Sequence, residues 1–464
     1  MYDPSTICAI STPPGIGGIA VIRCSGEKSF EITDSIFSPY AKGKRLMSQP
    51  ANTLLVGTII GESGIIDEVV VSVFRAPHSF TGEDIVEISC HGSGYIQQFI
   101  LQLLISKGAR MALPGEFTQR AFLNGKMDLS QAEAVADLIA STTSASHKIA
   151  LKQMRGGFSQ EIRNLREQLV KFTALIELEL DFSEEDVEFA DRTALKKLVT
   201  EIESLIRKLV ESFRLGNAIK NGIPVVIAGE TNVGKSTLLN ALLNEEKAIV
   251  SDIHGTTRDV IEDVVNIHGT AFRFFDTAGI RETQDAIENL GIERTFDKLR
   301  LAEIILLVVD MTNPLRLILE RIQKIRDKVE NQHLIIVANK TAQGDQDTMQ
   351  SLKNIELGNN EDLVFISAKS RSNLDELISC MQATLSINQL SNEDVIVTNL
   401  RHYEALTHAH SAILRVHEGL EIPISGDLLA QDIRECLHYL GSIVGDVTED
   451  EVLGYIFKNF CIGK

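Results

Sequence analysis

One loop constrains the fold of this chain more than any other sequence feature. The segment 229–236 reads GETNVGKS, which has the spacing G-x-x-x-x-G-K-S, and it lies between an apolar run at 224–228 and a helical pattern at 237–244. Glycines allow the backbone to curl until successive N–H groups and the start of the helix point at phosphate oxygens. The pattern therefore predicts a nucleotide-phosphate site on a doubly wound α/β domain.

Further polar segments follow this loop in the order expected of a GTPase. Lys235 is expected to meet the β and γ phosphates, and the hydroxyls of Ser236 and Thr257 to bind Mg²⁺. Asp276 offers a carboxylate toward the Mg²⁺ shell, and Gly279 an N–H toward the γ phosphate. Two later strands end in the loops of the guanine-reading type. The predicted nucleotide-binding residues are Asn232, Val233, Gly234, Lys235, Ser236, Thr237, Ser251, Asp252, Ile253, His254, Gly255, Thr256, Thr257, Asp276, Thr277, Ala278, Gly279, Asn339, Lys340, Ser367, Ala368 and Lys369.

One of these loops departs from the usual pattern. In GTPases that read guanine with N-K-x-D, the aspartate accepts from the guanine N1–H and exocyclic amine, but here Asn339-Lys340 is followed by Thr341 and Ala342. Either Asp345 or Asp347 swings in from the longer loop, or guanine selectivity is weaker, because a site without such a partner loses discrimination. GTP is favoured, with ATP as the alternative.

A second departure concerns hydrolysis. The residue after Gly279 is Ile280, where Ras-like GTPases place a glutamine that orients water. An aliphatic side chain cannot do so. Another residue, a cation or a partner subunit is therefore needed to complete catalysis.

Length and charge set the limits for the rest of the chain. Its 464 residues correspond to about three domains. The 45 Lys+Arg against 64 Asp+Glu give a net charge of −19, which opposes indiscriminate attachment to nucleic acid or anionic membrane. Six scattered cysteines without a C-x-x-C pair, together with no leader or spanning apolar run, predict a cytoplasmic protein without a membrane anchor.

The pattern of apolar residues changes along the chain. Residues 1–126 alternate short apolar β-branched runs with Gly and Pro, which predicts a mixed α/β domain. Residues 127–215 and 386–464 keep helical spacing, and residues 216–385 alternate strands and helices. We therefore expect a P-loop domain inserted between two segments of one helical domain.

With these residues in hand, the chain resembles the MnmE (TrmE) family of tRNA modification GTPases along its whole length. The segments that carry the resemblance are Thr12–Gly15, Phe80–Asp84, His91–Gly92, Pro114–Phe117, Arg120–Asn124 and the C-terminal Phe460–Lys464. The resemblance implies a homodimer with an N-terminal folate-binding and dimerisation domain. It also implies that the protein works with an FAD-dependent partner, in a heterotetramer, to build an aminomethyl-type group on C5 of the wobble uridine (position 34) of certain tRNAs. The one-carbon unit would come from a 5-formyl- or methylene-tetrahydrofolate.

The resemblance also assigns residues. It implies K⁺ binding by Asn232, Ser251, Ile253 and Thr256, where a cation neutralises charge between the phosphates as an arginine finger does elsewhere. It places the water-orienting glutamate at Glu288, which by itself reads as a surface helix residue. The matching folate-binding positions are Arg23, Glu87, Lys126 and Lys464.

Cys461 has two readings from its place beside the C-terminal lysine. A lowered pKa would make it a nucleophile or one-carbon acceptor, whereas a docked tail would make it a small buried residue. The other five cysteines lie in apolar runs and are expected in the core. A regulatory GTPase that only gates a partner, without one-carbon chemistry, is the alternative function.

Overall fold

The computed structural model describes residues 3–62, 64–181, 192–243, 249–250, 262–275, 302–384, 395–421, 426–447, 450–458, 460 and 462–463. The chain divides into two compact units. The first comprises 1–136, 152–190 and 425–464, and the second comprises 137–151 and 191–424. Five predicted segments lie outside the described residues, namely the loop 251–257, the segment 276–280, Glu288, Cys461 and Lys464.

The first unit contains a seven-stranded sheet with the order β3-β4-β5-β6-β2-β1-β7. Neighbouring strands are antiparallel except β1 and β7, which are parallel. Its core includes Ile22, Val71 and Ile88, all fully buried. The strands are β1 (Ile7–Ile10), β2 (Gly17–Ser25), β3 (Phe37–Pro39), β4 (Thr53–Gly61), β5 (Gly64–Phe74), β6 (Ile85–Gly92) and β7 (Arg110–Met111).

The described helices of both units are named here in chain order. They are α1 (Ser29–Asp34), α2 (Gly94–Ser106), α3 (Glu116–Leu123), α4 (Leu129–Ala140), α5 (Ser144–Met154), α6 (Gly157–Asp181), α7 (Arg192–Asn221), α8 (Lys235–Leu243), α9 (Leu315–Arg326), α10 (Gln346–Lys353), α11 (Leu374–Ala383), α12 (Leu400–Glu421), α13 (Gly426–Val444) and α14 (Asp450–Lys458). None of them is both long enough and apolar enough to cross a membrane.

In each unit, a helix from the segment 127–215 packs against a helix from the segment 386–464. In the first unit α6 packs along α13, and Arg166 forms an ion pair with Asp446. In the second unit α7 packs along α12, where the rings of Phe213 and Tyr403 stack with centroids 4.3 Å apart. The close approach of α7 to the chain before α12 requires Gly216, since a Cβ there would lie 2.0 Å from the carbonyl oxygen of Val397.

The second unit contains the other seven-stranded sheet, with the order β14-β13-β12-β8-β11-β10-β9. The five strands from β14 to β11 are parallel, and β10 and β9 are added antiparallel. The strands are β8 (Ile223–Ala228), β9 (Ile249–Val250), β10 (Glu262–Ile267), β11 (Thr270–Phe275), β12 (Ile304–Asp310), β13 (His333–Asn339) and β14 (Glu361–Phe365).

Helices cover both faces of this sheet. Leu238 of α8 and Ile378 of α11 pack into one core, while Ile318 of α9 and Leu352 of α10 pack into the other. Because both faces are covered, every residue of β12 is buried and the strand reads as a continuous apolar run. The predicted fold class, α/β and α multidomain with a doubly wound P-loop domain, is confirmed.

Candidate functional site

The predicted phosphate loop connects β8 to α8. It lies at the carboxyl end of a central parallel strand, where open α/β sheets bind ligands. Three of its residues have positive φ: Gly229 at 142°, Asn232 at 63° and Gly234 at 102°. The helix begins at Lys235, two residues before the predicted start, so its first N–H groups belong to the loop. This backbone suits an anion at the helix N-terminus.

Two glycines of the loop are required by close contacts as well as by φ. A Cβ on Gly234 would lie 2.3 Å from Nδ2 of Asn339, and one on Gly229 would lie 2.5 Å from the carbonyl oxygen of Val308. Both distances are shorter than a Cβ tolerates. A side chain at Gly229 would therefore require a shift of the backbone, and one at Gly234 would require a shift of the buried Asn339 side chain.

Asn339 fixes the phosphate loop to the neighbouring loops. Its side chain belongs to a residue that is 3% exposed. Its Nδ2 donates to the carbonyl oxygen of Val233 at 2.9 Å, and its Oδ1 accepts from the backbone N–H of Ala368 at 3.0 Å. The end of β13 thus joins the loop after β8 to the loop after β14. These are three of the segments predicted to bind the nucleotide.

Lys340 makes a second connection to the same loop. Its Nζ donates to the carbonyl oxygen of Asn232 at 3.0 Å and to Oδ2 of Asp310 at 2.5 Å. Asp310, at the end of β12, also accepts from the N–H and hydroxyl of Thr312. Burial opposes ionisation of Asp310, but these hydrogen bonds outweigh it and lower the pKa of the carboxyl below its ordinary value. The ion pair holds Lys340 against the phosphate loop.

Lys235 donates to oxygens of its own loop. Its Nζ lies 2.7 Å from the carbonyl oxygen of Gly229 and 2.5 Å from that of Glu230. Burial lowers the pKa of Lys235, and the nearby Glu230 carboxylate opposes this shift. A phosphate would offer the ammonium a charged acceptor in place of neutral carbonyls, which strengthens the hydrogen bond.

The metal assignments lie partly within the described residues. Ser236 is the second residue of α8, next to Lys235, and its hydroxyl is the kind of hard oxygen ligand that Mg²⁺ takes. Asn232 is exposed at the turn of the loop, so its side-chain amide is accessible to a cation. The donor types therefore fit both ions. Thr257, Ser251, Ile253 and Thr256 lie outside the described residues.

The loop predicted to read the base differs from one of the sequence expectations. Ala342 lies in a short 3₁₀ turn, Thr341–Gln343, and is exposed. Asp345 is the N-cap of α10, and its Oδ2 accepts from the N–H and hydroxyl of Thr348 at 3.1 and 3.2 Å. Capping uses the Asp345 carboxylate to satisfy an unpaired helix N–H. In this structure Asp345 therefore does not replace the missing aspartate.

In the first unit, Arg23 and Glu87 are directly opposite each other on the antiparallel strands β2 and β6. Arg23 Nε and Nη2 both approach Oε1 of Glu87, at 2.8 and 2.7 Å. The guanidinium also lies over the rings of Phe80 and Phe117, 5.4 and 5.5 Å from their centroids. The result is a half-buried charge pair beside two aromatic rings.

Lys126 borders the segment that carries Phe80. Its Nζ donates to the carbonyl oxygen of Pro77 at 2.9 Å, and its stem lies beside Gly82. The chain terminus also reaches this sheet, since the hydroxyl of Ser11 donates to the carbonyl oxygen of Gly463 at 3.1 Å. The structure thus places Arg23, Glu87 and Lys126 around one segment, 77–87.

Sequence reasoning missed two charged groupings near these sites. One is the pair of Asp310 with Lys340. Asp310 could have been noticed as a carboxylate at the end of a buried apolar strand. The other joins Glu116 to Arg110 and the buried Arg120, with nitrogen–oxygen distances of 2.6 to 3.0 Å. Arg120 also contacts Glu83 at 3.0 Å. Glu83, Glu116 and Arg120 all belong to segments that carried the family resemblance, but the pairing itself has no local sequence pattern.

Comparisons with known proteins cover nearly the whole chain. Residues 6–126 match the family model described as GTP-binding protein TrmE N-terminus, and residues 129–461 match the MnmE helical domain. The tRNA modification GTPase MnmE of Parabacteroides distasonis is 60% identical over 462 residues, which is 99% of this chain and 100% of that protein. The protein of the same name from Bacteroides fragilis strain YCH46 is 59% identical over 465 residues, covering all of both chains.

Solved structures match a smaller part. Era in complex with MgGDPNP and nucleotides 1506–1542 of 16S ribosomal RNA is 33% identical, covering 41% of this chain and 66% of that one, with a TM-score of 0.27. The assignment rests instead on the two family models and on the full-length relatives. The chain belongs to the MnmE family of tRNA modification GTPases.

Proposed function

We propose that this chain is a K⁺-dependent GTPase that modifies C5 of the wobble uridine, position 34, of certain tRNAs. It would act in the cytoplasm as a homodimer, with an FAD-dependent partner in a heterotetramer, and would use the one-carbon unit of a 5-formyl- or methylene-tetrahydrofolate. The observation that carries the proposal is the connection of the phosphate loop through Asn339 to Val233 and Ala368 in a chain of this family.

Each of four segments of the chain has its own proposed role. Residues 1–126 would bind folate and dimerise, and residues 216–385 would bind and hydrolyse GTP. Residues 127–215 and 386–464 would form the helical domain, with the Cys-Ile-Gly-Lys end close to the folate site. The contact of Ser11 with Gly463 supports the placement of that end beside the N-terminal sheet.

In the GTPase step, Lys235 and the backbone N–H groups of the loop hold the phosphates. Lys235 is prepared for this by its burial, since a charged acceptor restores the solvation that burial removes. Ser236 and Thr257 would hold Mg²⁺, and Asn232, Ser251, Ile253 and Thr256 would hold K⁺. When bound by these residues, the cations would supply electrostatic stabilisation of charge that develops between the phosphates. Glu288 would orient the attacking water, which Ile280 cannot do.

In the folate step, Arg23, Lys126 and Lys464 supply cations for a glutamate-tailed ligand, and Glu87 supplies an acceptor for its amino and ring N–H groups. The partly buried ring of Phe80 beside Arg23 supports a planar ligand at this place. Cys461 is proposed as a nucleophile or one-carbon acceptor. A Cys461→Ser chain should hydrolyse GTP normally and fail to modify tRNA.

The test uses the full chain in a bacterial strain without its own copy of this enzyme. Mass spectrometry of tRNA nucleosides should find the modified uridine with the wild type and with the control Lys324→Ala, an exposed lysine of α9. Lys235→Ala should lose it. Retention of the modified nucleoside by Lys235→Ala would contradict the proposal, and normal GTP turnover by Glu288→Ala would contradict the role of that residue.

The regulatory alternative is separated by the same strain and one binding measurement. A GTPase that only gates a partner would leave the wobble uridine unmodified whatever its nucleotide state. It would also show no saturable folate binding by calorimetry in the full-length protein. The proposal expects saturable binding that weakens in Arg23→Ala.

A further inference from the structure

We infer that the base site of this chain does not read the 2-amino group of guanine, so that it binds hypoxanthine and guanine nucleotides about equally well. The inference rests on the proposed GTPase function and concerns the substrate range of the same site. It depends on three observations: the fixed register of Asn339 and Lys340, the methyl side chain at 342, and the engagement of Asp310 and Asp345 elsewhere.

The register of the base-reading loop is set by contacts at both of its first residues. Asn339 bonds to Val233 and Ala368, and Lys340 bonds to Asn232 and Asp310. These hydrogen bonds fix the positions of both residues relative to the phosphate loop. Position 342 is therefore the third residue after an anchored asparagine, where N-K-x-D loops place the carboxylate. Here that position carries only the methyl group of an exposed alanine.

Two carboxylates in the described part of this region, Asp345 and Asp310, are used elsewhere, and a third, Asp347, lies within a helix. Asp345 caps α10 through the N–H and hydroxyl of Thr348. Asp310 is paired with Lys340 at 2.5 Å and with Thr312. Asp347 is an exposed residue in the first turn of α10. Moving Asp345 to the base would leave an N–H at the start of α10 without its cap, which destabilises the helix.

The chemistry of the base then fixes the expected selectivity. Guanine and hypoxanthine share the 6-oxo group, N7 and the N1–H, and differ only in the 2-amino group. A carboxylate at position 342 would accept from that amine and raise the affinity for guanine over hypoxanthine, because a hydrogen bond to a charged group is a strong one. Beside an exposed alanine the amine stays in water, so its removal changes little. Adenine differs more strongly, because it carries an amino donor in place of the 6-oxo acceptor and lacks the N1–H donor.

The experiment measures competition of nucleoside diphosphates for a fluorescent GDP analogue bound to the purified full-length protein. Diphosphates are used so that hydrolysis does not enter. The wild type should bind GDP and IDP within about threefold of each other and ADP much more weakly. Ala342→Asp should bind GDP more than tenfold better than IDP, and the matched control Gln343→Asp, with a carboxylate one residue further along, should keep the wild-type ratio.

Two results would overturn the inference. One is a wild-type preference for GDP over IDP of more than tenfold, which would mean that another group reads the amine. The other is an unchanged ratio in Ala342→Asp, which would mean that position 342 does not face the base. Either result leaves the proposed function intact, whereas failure to bind any guanine nucleotide would remove both.

Discussion

The side-chain amide of Asn339 lies 2.9 Å from the carbonyl oxygen of Val233, and this hydrogen bond ties the end of β13 to the middle of the phosphate loop. The same side chain accepts from the N–H of Ala368. Because Asn339 is buried, neither backbone group has water as a ready substitute. One side chain therefore holds in register the predicted phosphate loop and the two loops that are proposed to bind the base.

Replacement of this side chain should separate the three loops. Asn339→Ala leaves the Val233 carbonyl and the Ala368 N–H unpaired, at about 1–3 kcal/mol for each buried group. We expect guanine nucleotide affinity to fall more than tenfold in a competition assay. Asn331→Ala, at an exposed asparagine before β13, is the control and should bind normally. Unchanged affinity in Asn339→Ala would mean that the loop keeps its shape without this residue.

Gly234 tests whether the phosphate loop must approach the end of β13 closely. Gly234→Ala would put a Cβ 2.3 Å from Nδ2 of Asn339 at a φ of 102°. Nucleotide binding should be lost while the far-ultraviolet circular dichroism stays unchanged, since the contact lies at the edge of the sheet. Gly269→Ala separates strain from collision, because Gly269 has a φ of 84° and nothing within 4 Å of a Cβ. Full nucleotide binding by Gly234→Ala would show that nucleotide binding does not require the close approach of residue 234 to Asn339.

The sequence predicts the elements that depend on local pattern. Buried strands such as β8 and β12 are continuous apolar runs, and the phosphate loop has its own spacing. The short strand β7 has no such pattern, because it exists only through its pairing with Ile7 and Cys8 of β1. Edge pieces of this kind depend on a partner distant in the chain.

The sites divide in the same way. The loop 229–236 could be identified from spacing alone, whereas the pairing of Arg23 with Glu87 depends on the register of strands that are 64 residues apart. Only the family resemblance pointed to those two residues. The capping role of Asp345 was not predicted, because it depends on where α10 begins.

The cysteines give a prediction about thiol chemistry. Cys8, Cys24, Cys90 and Cys436 are buried, and burial raises the pKa of Cys8 and of Cys436 to about 12 and that of Cys90 to about 11. Burial also raises the pKa of the half-buried Cys380. These thiols should react slowly with Ellman's reagent in the native protein at pH 8, because little thiolate is present.

If Cys461 is the proposed nucleophile, one thiol per chain should react fast, and Cys461→Ser should remove that phase. The control Cys380→Ser should keep it. A fast phase that survives in Cys461→Ser would assign the reactivity to another cysteine. The absence of a fast phase in the wild type would favour the reading of Cys461 as a buried residue of a docked tail.

Glu116 links acid stability to the N-terminal domain. Burial raises its pKa, but hydrogen bonds from Arg110, the Leu113 N–H and Arg120 outweigh burial and hold the pKa below the ordinary value of 4.5. A carboxyl whose pKa is lowered by folding stabilises the folded state above its unfolded pKa, and this contribution is lost as pH falls toward the folded pKa.

Glu116→Gln at pH 7 leaves the buried Arg120 without one of its charged partners, which costs about 3 kcal/mol. The urea midpoint of the variant should therefore be well below that of the wild type at pH 7, and the difference should narrow below pH 4.5 as the wild-type carboxyl takes up its proton. The control Glu27→Gln, at an exposed glutamate after β2, should follow the wild type at both pH values. A difference between Glu116→Gln and the wild type that stays constant from pH 7 to pH 3 would show that the loss comes from packing and not from charge.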